Sequence, residues 1–251
     1  MSANLQKSEF AEAAMLGFNL SQAAVTDPKK HQNRHRADLR ARFLKGGVRA
    51  VADFELLELI ICRAIPHRDV RPLCILLLKQ FGCFNGVITA SGSNLRKIRG
   101  VGQSVVNELK IVQATAYRMA QLQVLDKDVL TTWDQLIAYC RLRMAYLTHE
   151  QFRVLFLDSK NVLIADECLQ SGIVNHVSVY PRQIAKRALE LDASAVILVH
   201  NHPSGDPKPS NVDIAVTLEI IDALSALVIT VHDHVIIGTS GETSFKASGL
   251  I

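Results

Sequence analysis

Two histidines and an aspartate are spaced so that they could hold a metal ion. His200 and His202 stand two residues apart after a short apolar run, 195–199, which is typical of a buried strand. Side chains at positions i and i+2 of an extended chain point to the same side, so both imidazoles can face one point. Asp213 follows a loop rich in proline and glycine and lies in the first turn of a predicted helix. Such a set leaves the fourth position of a tetrahedral zinc ion open for water, as in catalytic zinc sites.

Each of these residues also has an ordinary structural explanation. A single histidine is most often a surface residue or a hydrogen-bonded core residue, and an aspartate at the start of a helix is commonly a cap. The three residues together, on a strand, a loop and a helix, favour the metal site. His232 and His234 repeat the spacing of two, and there a supporting role on a strand is favoured over metal ligation.

The same residues carry a resemblance to a known family. His200, His202, Ser210 and Asp213 form the pattern H-x-H, seven residues, S-x-x-D, which is the JAMM signature of the MPN+ metalloprotease fold. The longer string HNHPSGDPKPSNVD resembles the RadC branch of that fold, which also has asparagine between the histidines, as at Asn201. The resemblance extends over about residues 37–251, and it implies a mixed sheet with helices on its faces.

The resemblance also implies a chemistry, the hydrolysis of a peptide or isopeptide-like amide by a zinc ion. The RadC branch has a glutamate before a phenylalanine and an apolar strand ending in aspartate, which implies Glu150 as the base that deprotonates water. Glu167 is the competing candidate, and an exposed glutamate at a strand edge is the structural alternative. Ser210 would donate a hydrogen bond to the oxyanion or simply cap the helix. Zinc suits two histidines and a carboxylate, although other first-row metals bind the same set.

A second group of residues suggests contact with nucleic acid. The run I-R-G-V-G at 98–102 joins two predicted helices and resembles a helix-hairpin-helix. Gly100, Val101 and Gly102 would form the turn, whose N–H groups can hold a DNA phosphate, with Arg99 adding positive charge. Such contact would be independent of base sequence. Hairpins of this shape also serve as packing units or protein contacts, and that alternative stays open.

Three functional hypotheses follow from these two sites. The first is a zinc-dependent amide hydrolase that acts on an unknown protein or peptide substrate. The second is a DNA-repair factor or metal-dependent nuclease that grips DNA through the helix-hairpin-helix. The third is a non-catalytic scaffold, as in MPN proteins that lack the ligands, but this chain has the full ligand set.

Composition limits the class of protein. Hydrophobic residues make up 49% of the chain and charged residues 21%, an ordinary globular balance. The sequence has neither a long apolar run nor a signal-peptide pattern, so we expect a cytoplasmic protein without a membrane segment, and a homo-oligomer is compatible with it. The five cysteines are scattered without a C-x-x-C pair, which argues against disulfides and a cysteine zinc site. Residues 1–125 hold 18 basic against 9 acidic side chains, and residues 126–251 hold 10 against 15. The basic half suggests a polyanion partner or a solvated basic surface.

We therefore predict an α/β (α+β) chain in three parts. Residues 1–36, with the basic cluster 29–36, would be a flexible segment. Residues 37–125 would be a small helical bundle that ends in the helix-hairpin-helix, and residues 126–251 an MPN/JAMM domain. Within that domain the sequence predicts a separate strand at 168–175, and two short strands or one bent strand at 227–238.

Overall fold

The computed structural model describes residues 28–172 and 180–251. The first half of this described chain is a bundle of helices around its own apolar core. Its helices are α1 (Pro28–Gly46), α2 (Asp53–Ala64), α3 (Arg71–Phe81), α4 (Phe84–Thr89), α5 (Gly92–Arg96) and α6 (Gln103–Gln121), with a 3-10 turn at Gly47–Ala50.

Helix α1 corrects one prediction about the N-terminal segment. It contains the basic cluster that the sequence assigned to a flexible segment, so the expected boundary at residue 36 falls inside a helix. The helix opens with a proline, which suits a first helical position, and no glycine interrupts it before Gly46. Arg36 is 5% exposed and donates to the carbonyl oxygens of Ile65, at 3.3 Å, and Arg68, at 2.5 Å. These bonds dock the cluster on the bundle, whereas residues 1–27 lie outside the described part.

The second half is a mixed sheet with helices on both faces, as predicted. Strand order is β2-β1-β3-β4-β5; β3 and β4 run parallel, and the other neighbours are antiparallel. The elements are α7 (Trp133–Met144), β1 (Glu150–Leu157), β2 (Leu163–Gly172), α8 (Pro181–Glu190), β3 (Ala195–Asn201), α9 (Asn211–Ser225), β4 (Thr230–Ile237) and β5 (Glu242–Ser244).

Two details of the strand prediction change. The separate strand expected at 168–175 is the end of β2, which pairs with β1 from Leu163 to Gly172 and passes through two irregularities in register. Residues 173–175 lie outside the described part. The segment 227–238 contains the single strand β4, because residues before Thr230 form the turn that ends α9.

Strand β3 is buried along its whole length because both faces of the sheet are covered. Ile197 and Val199 pack into the cluster that includes α7. Val196 and Leu198 pack into the cluster that includes α8 and α9. The alternation of side chains therefore sends His200 to the α9 face, at the C-terminal end of the strand.

The described residues bear on the predictions about membrane segments and disulfides. Within residues 28–172 and 180–251, no helix is both long and apolar enough to cross a membrane. All five cysteines lie in this part, and each is a free thiol.

Candidate metal centre

The structure brings the three predicted ligands together at the end of β3 and the start of α9. His200 Nε2 lies 3.0 Å from His202 Nε2. The Asp213 carboxylate approaches both rings, with Oδ1 3.5 Å from His200 Nε2 and Oδ2 3.6 Å from His202 Nε2. Among the described residues, these three form the one group of three or more histidine, cysteine or acidic side chains whose ligand atoms all lie within 4.8 Å of one another.

These distances match the edges of a coordination tetrahedron. Nitrogen and oxygen ligands bind zinc at about 2.0–2.2 Å, which places neighbouring ligand atoms roughly 3.3 Å apart. The three separations, 3.0, 3.5 and 3.6 Å, bracket that value. The donor set and its spacing therefore fit one small tetrahedral ion.

Hydrogen bonds hold the His202 ring and the loop that carries it. The His202 main-chain N–H donates to Ile237 O at 3.0 Å, which continues the β3–β4 pairing by one residue. Its Nδ1 lies 2.8 Å from Asp206 O; since a carbonyl only accepts, Nδ1 carries the hydrogen. In the neutral ring, Nε2 therefore presents its lone pair to the centre.

Two glycines allow this loop to lie against the β4–β5 turn. Gly205 has a φ of +87°, and its carbonyl accepts the Ser240 hydroxyl at 2.7 Å. A Cβ on Gly238 would lie 2.2 Å from that same carbonyl oxygen, so no side chain fits there.

Ser210 and Asp213 form a capping box at the start of α9. The Asp213 N–H donates to Ser210 Oγ at 3.1 Å, and the Ser210 N–H donates to Asp213 Oδ2 at 2.7 Å. The Ser210 hydroxyl also donates to Oδ2, at 2.7 Å. The capping alternative for Ser210 is therefore present, and these bonds orient the carboxylate toward the histidines. The hydroxyl would have to turn away from Asp213 to reach a substrate.

The surroundings keep His200 neutral and Asp213 ionised, which are the states that metal ligation needs, and they raise the pKa of His202. Burial lowers the pKa of His200 to about 4, so the ring is neutral at pH 7. Burial by itself raises the pKa of Asp213, but hydrogen bonds from His202 and Ser210 outweigh it and hold that pKa well below its ordinary value. The Asp213 carboxylate is also the main reason that the pKa of His202 is raised.

His234 supports the centre from β4, as the sequence predicted. Its Nε2 lies 2.8 Å from His200 Nδ1, on the side of that ring away from Asp213. The His234 ring is packed between two phenylalanines, with centroid distances of 5.5 Å to Phe152 and 4.6 Å to Phe245. His232 does not join the site, since its Nε2 lies 2.6 Å from Asn161 Oδ1.

Thr217 is a residue of the site that sequence reasoning missed. Its Oγ1 lies 2.6 Å from His234 Nδ1 and donates to Asp213 O at 2.5 Å. The available signal was its position four residues after Asp213, which places both on one face of α9.

Glu150 opens β1 beside the histidine pair. Strand β1 is antiparallel to β3 with Phe152 opposite His200, so the preceding residues of β1 run toward His202. The negative charge of Glu150 contributes to the raised pKa of His202. Glu150 is half-buried and makes an interaction of its own.

Glu150 and Glu167, the two candidates for the catalytic base, lie in different surroundings. Asn201, which is fully buried, accepts from the Gln151 N–H at 2.9 Å and donates to His149 O at 3.1 Å, so it fixes the start of β1. Glu167 instead lies on β2 in an ion pair with Arg187 of α8, at 2.7 Å.

The segment that the sequence predicts to be a helix-hairpin-helix lies in the helical bundle. Helices α5 and α6 flank a turn in which Gly100 has a φ of +98°, and Gly102 is the residue before α6. Val101 packs into the core at 8% exposure, while Arg99 and both glycines are exposed. Contact of these residues with nucleic acid stays a prediction.

Comparison with known proteins assigns the family. Residues 130–250, which contain the residues of the candidate metal centre, match the family model of the RadC-like JAB domain. A UPF0758 protein of Ruegeria pomeroyi is 55% identical over 217 residues, covering 86% of this chain and 97% of that protein. A UPF0758 protein of Rhodobacter capsulatus is 56% identical over 213 residues, covering 85% of this chain and 100% of that protein. The chain therefore belongs to the RadC family of UPF0758 proteins and carries their JAB (MPN) domain.

Proposed function

We propose that this protein is a zinc-dependent metallohydrolase that cleaves an amide bond of the peptide or isopeptide type. The observation that carries the proposal is the set of three ligand atoms from His200, His202 and Asp213 at tetrahedral spacing. Membership of a JAB-domain family also supports this proposal.

The three side chains would hold zinc through His200 Nε2, His202 Nε2 and one oxygen of Asp213. A bound zinc ion would polarise the amide carbonyl and lower the pKa of water to about 7. His200 is 2% exposed, whereas His202 and Asp213 are half-buried, so solvent reaches the centre at these two residues. A substrate would approach from the side of His202.

Glu150 would move the proton. Its position at the start of β1 and the effect of its charge on the pKa of His202 support this role. As a general base it would accept a proton from water, and as a general acid it would pass that proton to the leaving amine. Ser210 could stabilise the oxyanion only in a rotamer that releases Asp213.

Metal content tests the first half of the proposal. We expect about one zinc per chain by mass spectrometry in the purified protein, and loss of that zinc in His200→Ala and Asp213→Ala. His232→Ala is the matched control, because that histidine bonds to Asn161 outside the centre. If the wild-type protein holds no metal and takes up none when zinc is added, the hydrolase proposal fails.

Substrate screening tests the second half. Amide and phosphodiester substrates are compared with the wild-type protein, His202→Ala and Glu150→Gln. We expect amide hydrolysis that is abolished in His202→Ala and reduced by about 10²–10⁴ in Glu150→Gln while zinc is retained. Phosphodiester hydrolysis that depends on His202 would instead identify a nuclease. No hydrolysis of either class by the zinc-loaded protein would favour a scaffold.

We also propose that the hairpin between α5 and α6 binds the DNA backbone. Gly100 and Gly102 are exposed, and the first N–H groups of the 19-residue helix α6 have no side-chain cap. Arg99 lies beside this turn, and Arg96 donates to Gln103 in the first turn of α6. These groups together suit a phosphate.

Fluorescence anisotropy with duplexes of unrelated sequence tests this second proposal. We expect similar affinities for all duplexes, a strong decrease with salt, and weaker binding by Arg99→Ala. The exposed Lys79→Ala, on α3, is the control for loss of one positive charge. Equal binding by both variants would refute a contact at the hairpin.

A further inference from the structure

A chain of buried side chains leads from the metal centre into the protein. His200 Nδ1 lies 2.8 Å from His234 Nε2, and His234 Nδ1 lies 2.6 Å from Thr217 Oγ1. Thr217 Oγ1 lies 2.5 Å from the main-chain carbonyl of Asp213. His200, His234 and Thr217 are 2%, 1% and 0% exposed, so solvent does not compete for these bonds.

The carbonyl at the end of this chain sets the direction of every bond in it. A carbonyl oxygen has no hydrogen, and two oxygens 2.5 Å apart repel unless a hydrogen lies between them, so the Thr217 hydroxyl donates to Asp213 O. Having used its one hydrogen, Thr217 Oγ1 must accept from His234 Nδ1. His234 therefore carries its hydrogen on Nδ1.

Burial then sets the direction of the hydrogen bond between the His200 and His234 rings. If His234 also carried a hydrogen on Nε2, it would be an imidazolium at 1% exposure, with a hydroxyl and another imidazole as its hydrogen-bond partners. Burying such a charge without a bonded carboxylate is costly. A neutral His234 presents the lone pair of Nε2, and His200 Nδ1 must donate to it. The neutral His200 ring is left with an unprotonated Nε2, which is the atom that faces His202 and Asp213.

We infer that Thr217 and His234 are positioning residues that fix His200 as the Nδ1–H tautomer and so reserve its Nε2 lone pair for the metal ion. This inference rests on the proposed metal centre. It makes helix α9 responsible for two ligands, because the helical turn that presents the Asp213 carboxylate also sets, through its carbonyl, which nitrogen of His200 is free.

The surroundings of His234 are built to keep its ring in place. Phe245 is fully buried against one side of the ring, and Phe152 meets it edge-on. The neighbouring Asp233 carboxylate accepts the N–H groups of His234, at 2.7 Å, and Lys246, at 2.9 Å, and so draws the chain that carries Phe245 onto β4. The ring can therefore not turn to exchange its two nitrogens without disrupting this packing.

Measuring the tautomer of His200 in the zinc-free protein tests this inference directly. Nitrogen-15 NMR of histidine-labelled protein near pH 7 distinguishes protonated from unprotonated ring nitrogens. We expect His200 to be the Nδ1–H tautomer in the wild-type protein and in Thr217→Ser, which keeps the hydroxyl. In Thr217→Val, which has nearly the same shape without the hydroxyl, we expect a mixture of tautomers at His200 and His234. A single Nδ1–H tautomer of His200 in Thr217→Val would overturn the inference.

Zinc affinity is the second readout. Loss of a bonded partner behind a histidine ligand typically weakens metal binding by about 10–100-fold. We expect that loss in Thr217→Val, close to wild-type affinity in Thr217→Ser, and a similar loss in His234→Phe, which keeps a ring between the two phenylalanines. Unchanged affinity in both Thr217→Val and His234→Phe would also overturn the inference. Circular dichroism confirms that each variant is folded.

These measurements separate the inference from the proposed function. Neither readout uses amide hydrolysis, so a wild-type protein that cleaves no amide leaves the result for His200 intact. Conversely, a hydrolase in which Thr217→Val alters neither tautomer nor affinity would keep its function and lose this positioning role.

Discussion

Removal of the Asp233 carboxylate should destabilise the protein more than the loss of any single hydrogen bond would. Asp233 is 4% exposed and follows His232 on β4. Its Oδ1 accepts the N–H groups of His234, at 2.7 Å, and Lys246, at 2.9 Å, while its Oδ2 accepts the Ser244 hydroxyl. One carboxylate therefore ties the chain after β5 to β4, the strand that carries His234 beside the candidate metal centre.

The expected loss follows from these three bonds. A hydrogen bond to a charged group contributes about 1.5–3 kcal/mol, but removing the carboxylate also removes the cost of burying its charge. For Asp233→Ala we expect the free energy of unfolding to fall by about 3–5 kcal/mol. Asp233→Asn keeps an oxygen for the two N–H groups and should lose about 1–2 kcal/mol. Ser244→Ala removes the donor to Asp233 and an exposed acceptor of the Ala247 N–H, and it should lose about 1 kcal/mol.

Urea unfolding at pH 7 in the presence of a chelator measures this series without a contribution from metal. Glu219→Ala, on the exposed side of α9, is the control for loss of a carboxylate and should be nearly neutral. We also expect Asp233→Ala to bind zinc more weakly, since Phe245 would no longer be held against His234. Two outcomes would contradict this role of the Asp233 carboxylate: an Asp233→Ala variant whose free energy of unfolding lies within about 1 kcal/mol of the wild-type value, or a Ser244→Ala variant that is the least stable of the three.

Two further predictions concern the loop after β3 and the buried His200. Gly238→Ala should lower the free energy of unfolding by about 1–3 kcal/mol and weaken zinc binding, because its Cβ would lie 2.2 Å from Gly205 O. Gly241→Ala is the control: nothing lies within 4 Å of its Cβ, so its free energy of unfolding should be nearly unchanged in the same urea experiment. Acid should destabilise the metal-free fold, because burial lowers the pKa of His200 from 6.5 to about 4, so that between these pH values the unfolded chain binds a proton that the folded chain does not. The His200 contribution, about 3 kcal/mol, is fully present above pH 6.5 and is lost as the pH falls toward 4; urea unfolding across this range should show a smaller pH dependence in His200→Ala, and equal slopes would contradict the assignment.

Much of the fold and the three candidate ligands could be read from the sequence because their determinants are local. The spacing of His200 and His202 on a strand sets both side chains on one face, whatever the strand's neighbours. The capping box of Ser210 and Asp213 involves residues three positions apart, so one helical turn is enough to define it. The ends of the bundle helices were marked by glycine and proline for the same reason.

Tertiary structure decided which groups surround those ligands. Thr217 meets His234, and His234 meets His200, only because β4 lies parallel to β3 and α9 packs against the same face of the sheet, which brings together residues 17 and 34 positions apart. The positions of the two candidate glutamates likewise depend on pairing, since Glu150 lies on β1 beside β3 and Glu167 lies on β2 at the edge of the sheet. The sequence by itself thus determined a local pattern of candidate ligands. Packing determined the hydrogen bonds behind them, because a buried ring takes its tautomer from partners that only the folded chain supplies.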